Sequence, residues 1–279
     1  MVKNAVQKGY LGLILSLLYA PILLIILFSF FNTGTFSFAN GFSFKSYALI
    51  FTSDKTPHLM SALKNTLFIA IISSVIATVM GAFASIGIFN LKRKTKRVVE
   101  NVNQLPIINS EIVMAVSLMI FFVTFRFPEG YVRLILAHVS FCTPYVILSI
   151  MPKLAQMDTN IYEAALDLGA NPFQALVKVL FPIIMPGIIS GFAMSFTISL
   201  DDFIITQINK GTGTGIETLS TYIYSDARIK GLEPFWFAVF SIIFVVVLAI
   251  LLIINMRRIK MEQRNPEPKE NRRHFYEKI

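Results

Sequence analysis

Residues 10–31 read YLGLILSLLYAPILLIILFSFF, and residues 235–255 read FWFAVFSIIFVVVLAILLIIN. Neither run holds a charged side chain. A bilayer core about 30 Å thick needs about 20 mostly apolar residues per helix. Backbone groups in lipid must bond within their own segment, so such runs cross as helices. Four more runs qualify, and the expected spans are 10–31, 64–90, 102–125, 132–152, 183–206 and 235–255. With 55% hydrophobic residues and a mean hydropathy of +0.66, the chain lies well above soluble domains. The reading is an all-α integral membrane protein: one transmembrane domain over 1–255, then a polar tail at 256–279.

The runs differ in kind. Pro21 is placed to kink the first. The second, KNTLFIAIISSVIATVMGAFASIGIFN, is rich in Ser, Ala and Gly, which lets helices approach closely in lipid. It is expected to lie among other helices. The sixth carries large apolar side chains and is expected to face lipid.

Charge sets the orientation. With the N-terminus in the cytoplasm, most of the 25 Lys and Arg fall on inner segments 1–9, 91–101, 153–182 and 256 onward. The clusters LKRKTKR (91–97) and MRRIK (256–260) decide it. Both termini are then cytoplasmic, and the net charge of +9 is a topology signal rather than a nucleic-acid footprint. One cysteine, Cys142, excludes an intrachain disulfide. His58, His138 and His274 are scattered without ligand spacing, so no metal site is expected. No HExxH motif or Ser/His pairing points to catalysis. KGTGTGIE (210–217) lacks the Lys-Ser/Thr ending of a phosphate loop and reads as an outer loop. The chain is expected to bind no nucleotide or other cofactor itself.

Two places carry polar chemistry. The cytoplasmic segment 153–182 contains TNIYEAALDLGANPFQALVKVLFP. Asn160 is placed to cap a helix, with Glu163 three residues on. Ala164 and Ala165 give a surface of little bulk. Gly169 can end that helix in a left-handed turn, and Pro172 suits the first position of the next. Pro182 and Pro186 are expected to break the chain as it re-enters the membrane. This shape fits either another protein's cleft or an ordinary amphipathic loop.

Acidic residues form the other place. Charges inside a membrane segment are costly and usually mark a polar path. Glu111 falls about a third of the way into span 102–125. Asp201 and Asp202 close the fifth span, about 100° apart on a helix, so one can line a cavity while the other caps a helix. An acidic, aromatic-bearing cavity favours a cation.

The pattern Glu163-Ala164-Ala165, Gly169 and Pro182 resembles the EAA loop of ABC importer permeases. Val179 and Phe181 stand where that family usually has Ile and Leu. The resemblance implies the type I importer permease fold, with six transmembrane helices and a coupling helix. That helix, carrying Glu163, Ala164, Ala165, Gly169 and Pro172, would dock on a dimer of ATP-binding subunits. ATP and Mg would be bound by that partner ATPase. A second homologous permease and a periplasmic or extracellular substrate-binding protein complete the implied set of partners. SEIVMAVSL and SFTISLDD look like the second permease subunit of spermidine/putrescine importers. There the family usually has Asp at the position of Glu111 and a small aliphatic residue at that of Phe203. This implies a polyamine substrate, with Glu111, Ser199, Asp201, Asp202 and Tyr47 along its path. A permease for another small solute, or a self-sufficient secondary transporter of cations, remains the alternative at this point.

Overall fold

The computed structural model describes residues 2–31, 38, 41–231 and 233–264. Contacts cluster into two compact units, Met1–Thr56 with Asp226–Ile279, and Pro57–Ser225. All regular structure among the described residues is helical.

In the first unit, α1 (Val2–Phe28) and α2 (Lys45–Thr52) come from the N-terminal part and α12 (Pro234–Arg264) from the C-terminal part. Pro21 lies inside α1 without ending it. The start of α12 is buried at Phe235, Trp236, Phe237 and Ala238, while Val245 to Leu248 are exposed. The expectation of a lipid-facing helix therefore fails for the first turn, while the later turns are exposed. The reason is a charged cluster: Lys55 pairs with Asp226 and, at 2.8 Å, with Glu233. Trp236 Nε1 donates to Asp226 Oδ2 at 2.6 Å. The expected tail begins inside α12, and residues 265–279 lie outside the described residues.

The second unit contains nearly all of α3 (Lys55–Phe89), then α4 (Arg93–Ile108), α5 (Glu111–Thr124), α6 (Tyr131–Gln156), α7 (Thr159–Asp167), α8 (Pro172–Ala175), α9 (Phe181–Asp201), α10 (Ile204–Asn209) and most of α11 (Leu219–Lys230). The small residues of α3 do what their size permits. Ala62, Thr66, Ala70, Ser73, Ala77, Gly81 and Ser85 make one buried stripe. A Cβ on Gly81 would sit 2.6 Å from Val146 Cγ1 of α6, and one on Gly191 of α9 would sit 3.1 Å from the same atom. Helix α6 is thus held by glycine contacts with both α3 and α9, around a core of Val146, Ile150, Leu154 and Ile184.

Among the described residues, four helices are long and apolar enough to cross a membrane: Gly9–Phe28, Lys55–Phe89, Tyr131–Gln156 and Pro172–Asp201. A fifth candidate is broken. The expected span 102–125 becomes α4 and α5, bent by 104°. Asn109 and Ser110 are both extended, with ψ of 152° and 136°. Pro106 removes one backbone donor just before that break. The sixth expected span corresponds to the apolar stretch Pro234–Ala249.

Pro182 and Pro186 do not break the chain. Leu176–Leu180 form a π-turn, with the Phe181 N–H donating to Leu176 O, and helix resumes through both prolines. A wider turn ahead of a proline relieves its clash with the preceding turn.

Candidate functional site

Two groups of residues in the second unit carry the polar chemistry. The first surrounds the end of α9. Asp202 is extended, with ψ of 134°, and stops the helix. Its Oδ1 accepts from the Ile205 N–H at 3.1 Å. Its Oδ2 accepts from the Thr206 N–H at 2.8 Å and from the Thr206 hydroxyl at 2.7 Å. One carboxylate therefore satisfies donors at the start of α10 that an apolar environment would leave unpaired. Its side chain is 4% exposed.

His138 of α6 joins this group. Its Nδ1 lies 2.7 Å from Ser199 Oγ and its Nε2 lies 3.0 Å from Thr206 Oγ1. Nε2 is also 3.6 Å from Asp202 Oδ2, and the His138 side chain is 1% exposed. Below α10, the Asn209 amide donates to Ala115 O of α5 at 3.1 Å. Four helices thus meet where α9 breaks.

Of the acidic candidates, Asp201 is the last residue of α9 and is exposed. It makes no side-chain hydrogen bond or ion pair among the described residues. Glu111 is the first residue of α5, at the 104° break, and is also exposed. It is not grouped with Asp202. Ser199 is buried against His138. Tyr47 belongs to the first unit, where its hydroxyl lies 2.8 Å from Ser29 Oγ and its ring packs 5.2 Å from that of Phe30. The sequence reading treats His138 as one of three scattered histidines. The signal was present, because an ionisable ring in the middle of span 132–152 obeys the same rule as a carboxylate there.

The second group is the segment that follows α6. Asp158, not Asn160, caps α7: its side chain accepts from the Asn160 N–H at 3.0 Å. Asp158 is extended before the first helical residue, the conformation a cap needs, while Asn160 is already helical. The reciprocal capping box occurs one helix later. Asn171 accepts from the Gln174 N–H at 2.8 Å, and Gln174 Oε1 accepts from the Asn171 N–H at 3.2 Å. Pro172 takes the first position of α8. Gly169 has φ of +86°, a left-handed value that closes α7 as the sequence requires. Glu163, Ala164 and Gly169 are exposed and Ala165 is half-buried. Leu168 is 89% and Phe173 72% exposed, so an exposed apolar surface flanks the turn. Behind it, Glu163 and Tyr162 line a cavity of about 420 Å³ with Phe89, Asn90 and Leu176.

The glycine-rich loop closes on itself. Lys210 Nζ lies 3.4 Å from Glu217 Oε1, and Thr214 Oγ1 donates to Lys210 O at 2.9 Å. Its cation is thus paired within the loop.

Known proteins resemble this chain in sequence and in fold. The chain is 31% identical over 235 residues to the spermidine/putrescine transport system permease protein PotC of Escherichia coli (strain K12), covering 84% of this chain and 86% of that one. It is 32% identical over 224 residues to the putrescine transport system permease protein PotI of the same strain, covering 78% of each. The fold matches that of a bacterial ABC transporter involved in the import of the acidic polysaccharide alginate, with a TM-score of 0.67, 14% identity, and 92% and 95% of the two chains covered. Residues 74–260 match the family described as binding-protein-dependent transport system inner membrane component. That match takes in the packing glycines Gly81 and Gly191, the capped turn and the break at Asp202, and it makes this chain a member of that family of membrane permeases.

Proposed function

We propose that this chain is one permease subunit of an ATP-driven importer and passes polyamines, spermidine or putrescine, through the membrane. The observation that carries this reading is the 31–32% identity, over most of the chain, to permeases named for those substrates. The exposed Asp201 and Glu111 fit a path for an amine cation, since carboxylates in a membrane segment are kept where they meet a charge. Asp202 and Ser199 support that path from the buried side.

In this reading the chain crosses six times, counting the broken α4–α5 pair and the start of α12, with both termini in the cytoplasm. The turn at Gly169 then faces the cytoplasm. Glu163, Ala164, Ala165 and Pro172 present it to a dimer of ATP-binding subunits, which hold ATP and Mg. The chain itself performs no covalent chemistry. A second homologous permease completes the path, and a substrate-binding protein delivers the polyamine from outside.

Uptake of labelled spermidine and putrescine tests this directly, in cells carrying or lacking the gene with its neighbours intact. Loss on deletion, restored by the intact chain but not by Glu163→Arg, is expected. Restored uptake with Glu163→Arg would remove the coupling role. Unchanged uptake on deletion, in cells without another polyamine system, would reassign the substrate to another small solute.

A further inference from the structure

Buried side chains at a helix break must be satisfied by one another, because lipid offers no partners. At the end of α9 they form a directed chain. With the ring proton on Nε2, the Ser199 hydroxyl donates to His138 Nδ1 at 2.7 Å. Nε2–H then donates to Thr206 Oγ1 at 3.0 Å, and the Thr206 hydroxyl donates to Asp202 Oδ2 at 2.7 Å. Each donor is used once, and the chain ends on the carboxylate that caps α10. Ser199 lies before the break, Thr206 lies after it, and His138 comes from a third helix. His138 therefore spans the gap that Asp202 and Phe203 open.

The adjacent carboxylates are thereby separated in role. Asp202 is fully engaged with backbone and hydroxyl donors. Asp201, one residue earlier, is exposed and unengaged among the described residues. Its placement depends on where α9 stops, and that point is fastened to α6 through His138.

We propose that His138 is a positioning residue for transport: it latches α6 to both sides of the α9–α10 break and so holds Asp201 in place for the passing cation. The latch itself is read from this chain alone, while its effect on uptake rests on the import reading above. His138 does not touch the substrate in this scheme. Ala115 O, held by Asn209 of α10 at 3.1 Å, extends the same fixed point to α5, whose first residue is Glu111.

The experiment uses the assembled transporter in proteoliposomes with its ATPase and binding protein. Three variants are compared: His138→Leu, which removes both ring bonds; His138→Gln, whose amide can still accept from Ser199 and donate to Thr206; and Thr206→Val, which removes the link from its other end. Hydrogen exchange is read at the Ile205 and Thr206 amides. Loss of a buried bond should raise it about tenfold in His138→Leu and Thr206→Val, and leave His138→Gln near wild type. The maximal uptake rate for spermidine should fall about tenfold in His138→Leu without a matching change in KM, because the missing contact positions the path rather than binding delivered substrate.

Wild-type exchange in both His138→Leu and Thr206→Val would overturn the latch. Faster exchange with unchanged uptake would overturn the positioning role. Equal loss in His138→Gln and His138→Leu would assign the effect to ring shape and overturn the hydrogen-bonded chain. Faster exchange in a complex whose wild type carries no polyamine would support the latch and overturn the substrate assignment instead. Should His138→Leu fail to assemble, the exchange result for Thr206→Val decides.

Discussion

Asp202 and Thr206 are joined three ways over one turn: the carboxylate accepts the Thr206 backbone N–H at 2.8 Å and its hydroxyl at 2.7 Å, while His138 reaches both residues. A carboxylate so engaged stabilises the break in α9 and has little left to offer a ligand. Asp201 has no such partners among the described residues.

The two neighbours should therefore respond differently to the same change. Asp202→Asn replaces one acceptor oxygen by a donor that faces backbone N–H groups, and should destabilise the subunit by about 1–3 kcal/mol. A thermal melt in detergent would read this as a lower midpoint. Asp201→Asn should leave the melt within about 0.5 kcal/mol of wild type while lowering polyamine uptake. Equal melts for the two variants would contradict the division of roles.

Glycines in one helix should also divide. A Cβ on Gly81 would press on Val146 at 2.6 Å, whereas one on Gly87 meets nothing within 4 Å. Gly81→Leu should cost about 1–3 kcal/mol or more through overpacking against α6. Gly87→Ala should be neutral or slightly stabilising, since alanine is the better helix former. Yield of folded subunit and melting temperature check both.

At the turn after α7, space is not the constraint. A Cβ on Gly169 would also meet nothing within 4 Å, but its φ of +86° disfavours side chains. Gly169→Leu should strain the turn by about 1–2 kcal/mol, and Gly169→Asn by less. In the importer reading, ATP-driven uptake falls in that order while the permease still reaches the membrane. Normal uptake in Gly169→Leu would count against coupling through this turn.

Trp236 is the sole tryptophan, so its fluorescence reports the cluster in the first unit. Lys55→Met removes the cation shared by Asp226 and Glu233. Leaving two carboxylates close together should destabilise this unit by about 3 kcal/mol. Trp236 emission should shift to longer wavelength as its surroundings open. An unchanged spectrum and melt would show the pair to be dispensable.

Periodicity and turn chemistry made much of this legible in advance. The apolar runs anticipated α1, α3, α6 and α9, and the small residues of span 64–90 were readable as a packing face. Gly169 and Pro172 announced their turn because few residues suit those backbone positions. The break at Asn109-Ser110 was missed although Pro106 and Glu111 stand beside it, because the apolar run from Ile112 to Val123 invites a single straight span. The π-turn was hidden too, because its cause lies in how Pro182 meets the preceding carbonyls. His138 escaped because its partners, Ser199 and Thr206, are 61 and 68 positions away, and local spacing carries no record of such a meeting.

The wide turn at Leu176–Leu180 also sets how sequence length translates into direction. One residue is accommodated there without the usual advance along the helix. Deleting a single residue between Leu176 and Leu180 would let an ordinary α-turn form and leave the segments on either side facing nearly as before. A deletion in the regular helix of α9 has no such slack and would swing everything before it by about 100° around the α9 axis. Glu163, Leu168 and Phe173 would then keep their mutual geometry yet face another quarter. The wide turn thus acts as one residue of slack between Gly169 and Pro182, and length changes beyond it would misdirect an intact surface rather than damage it.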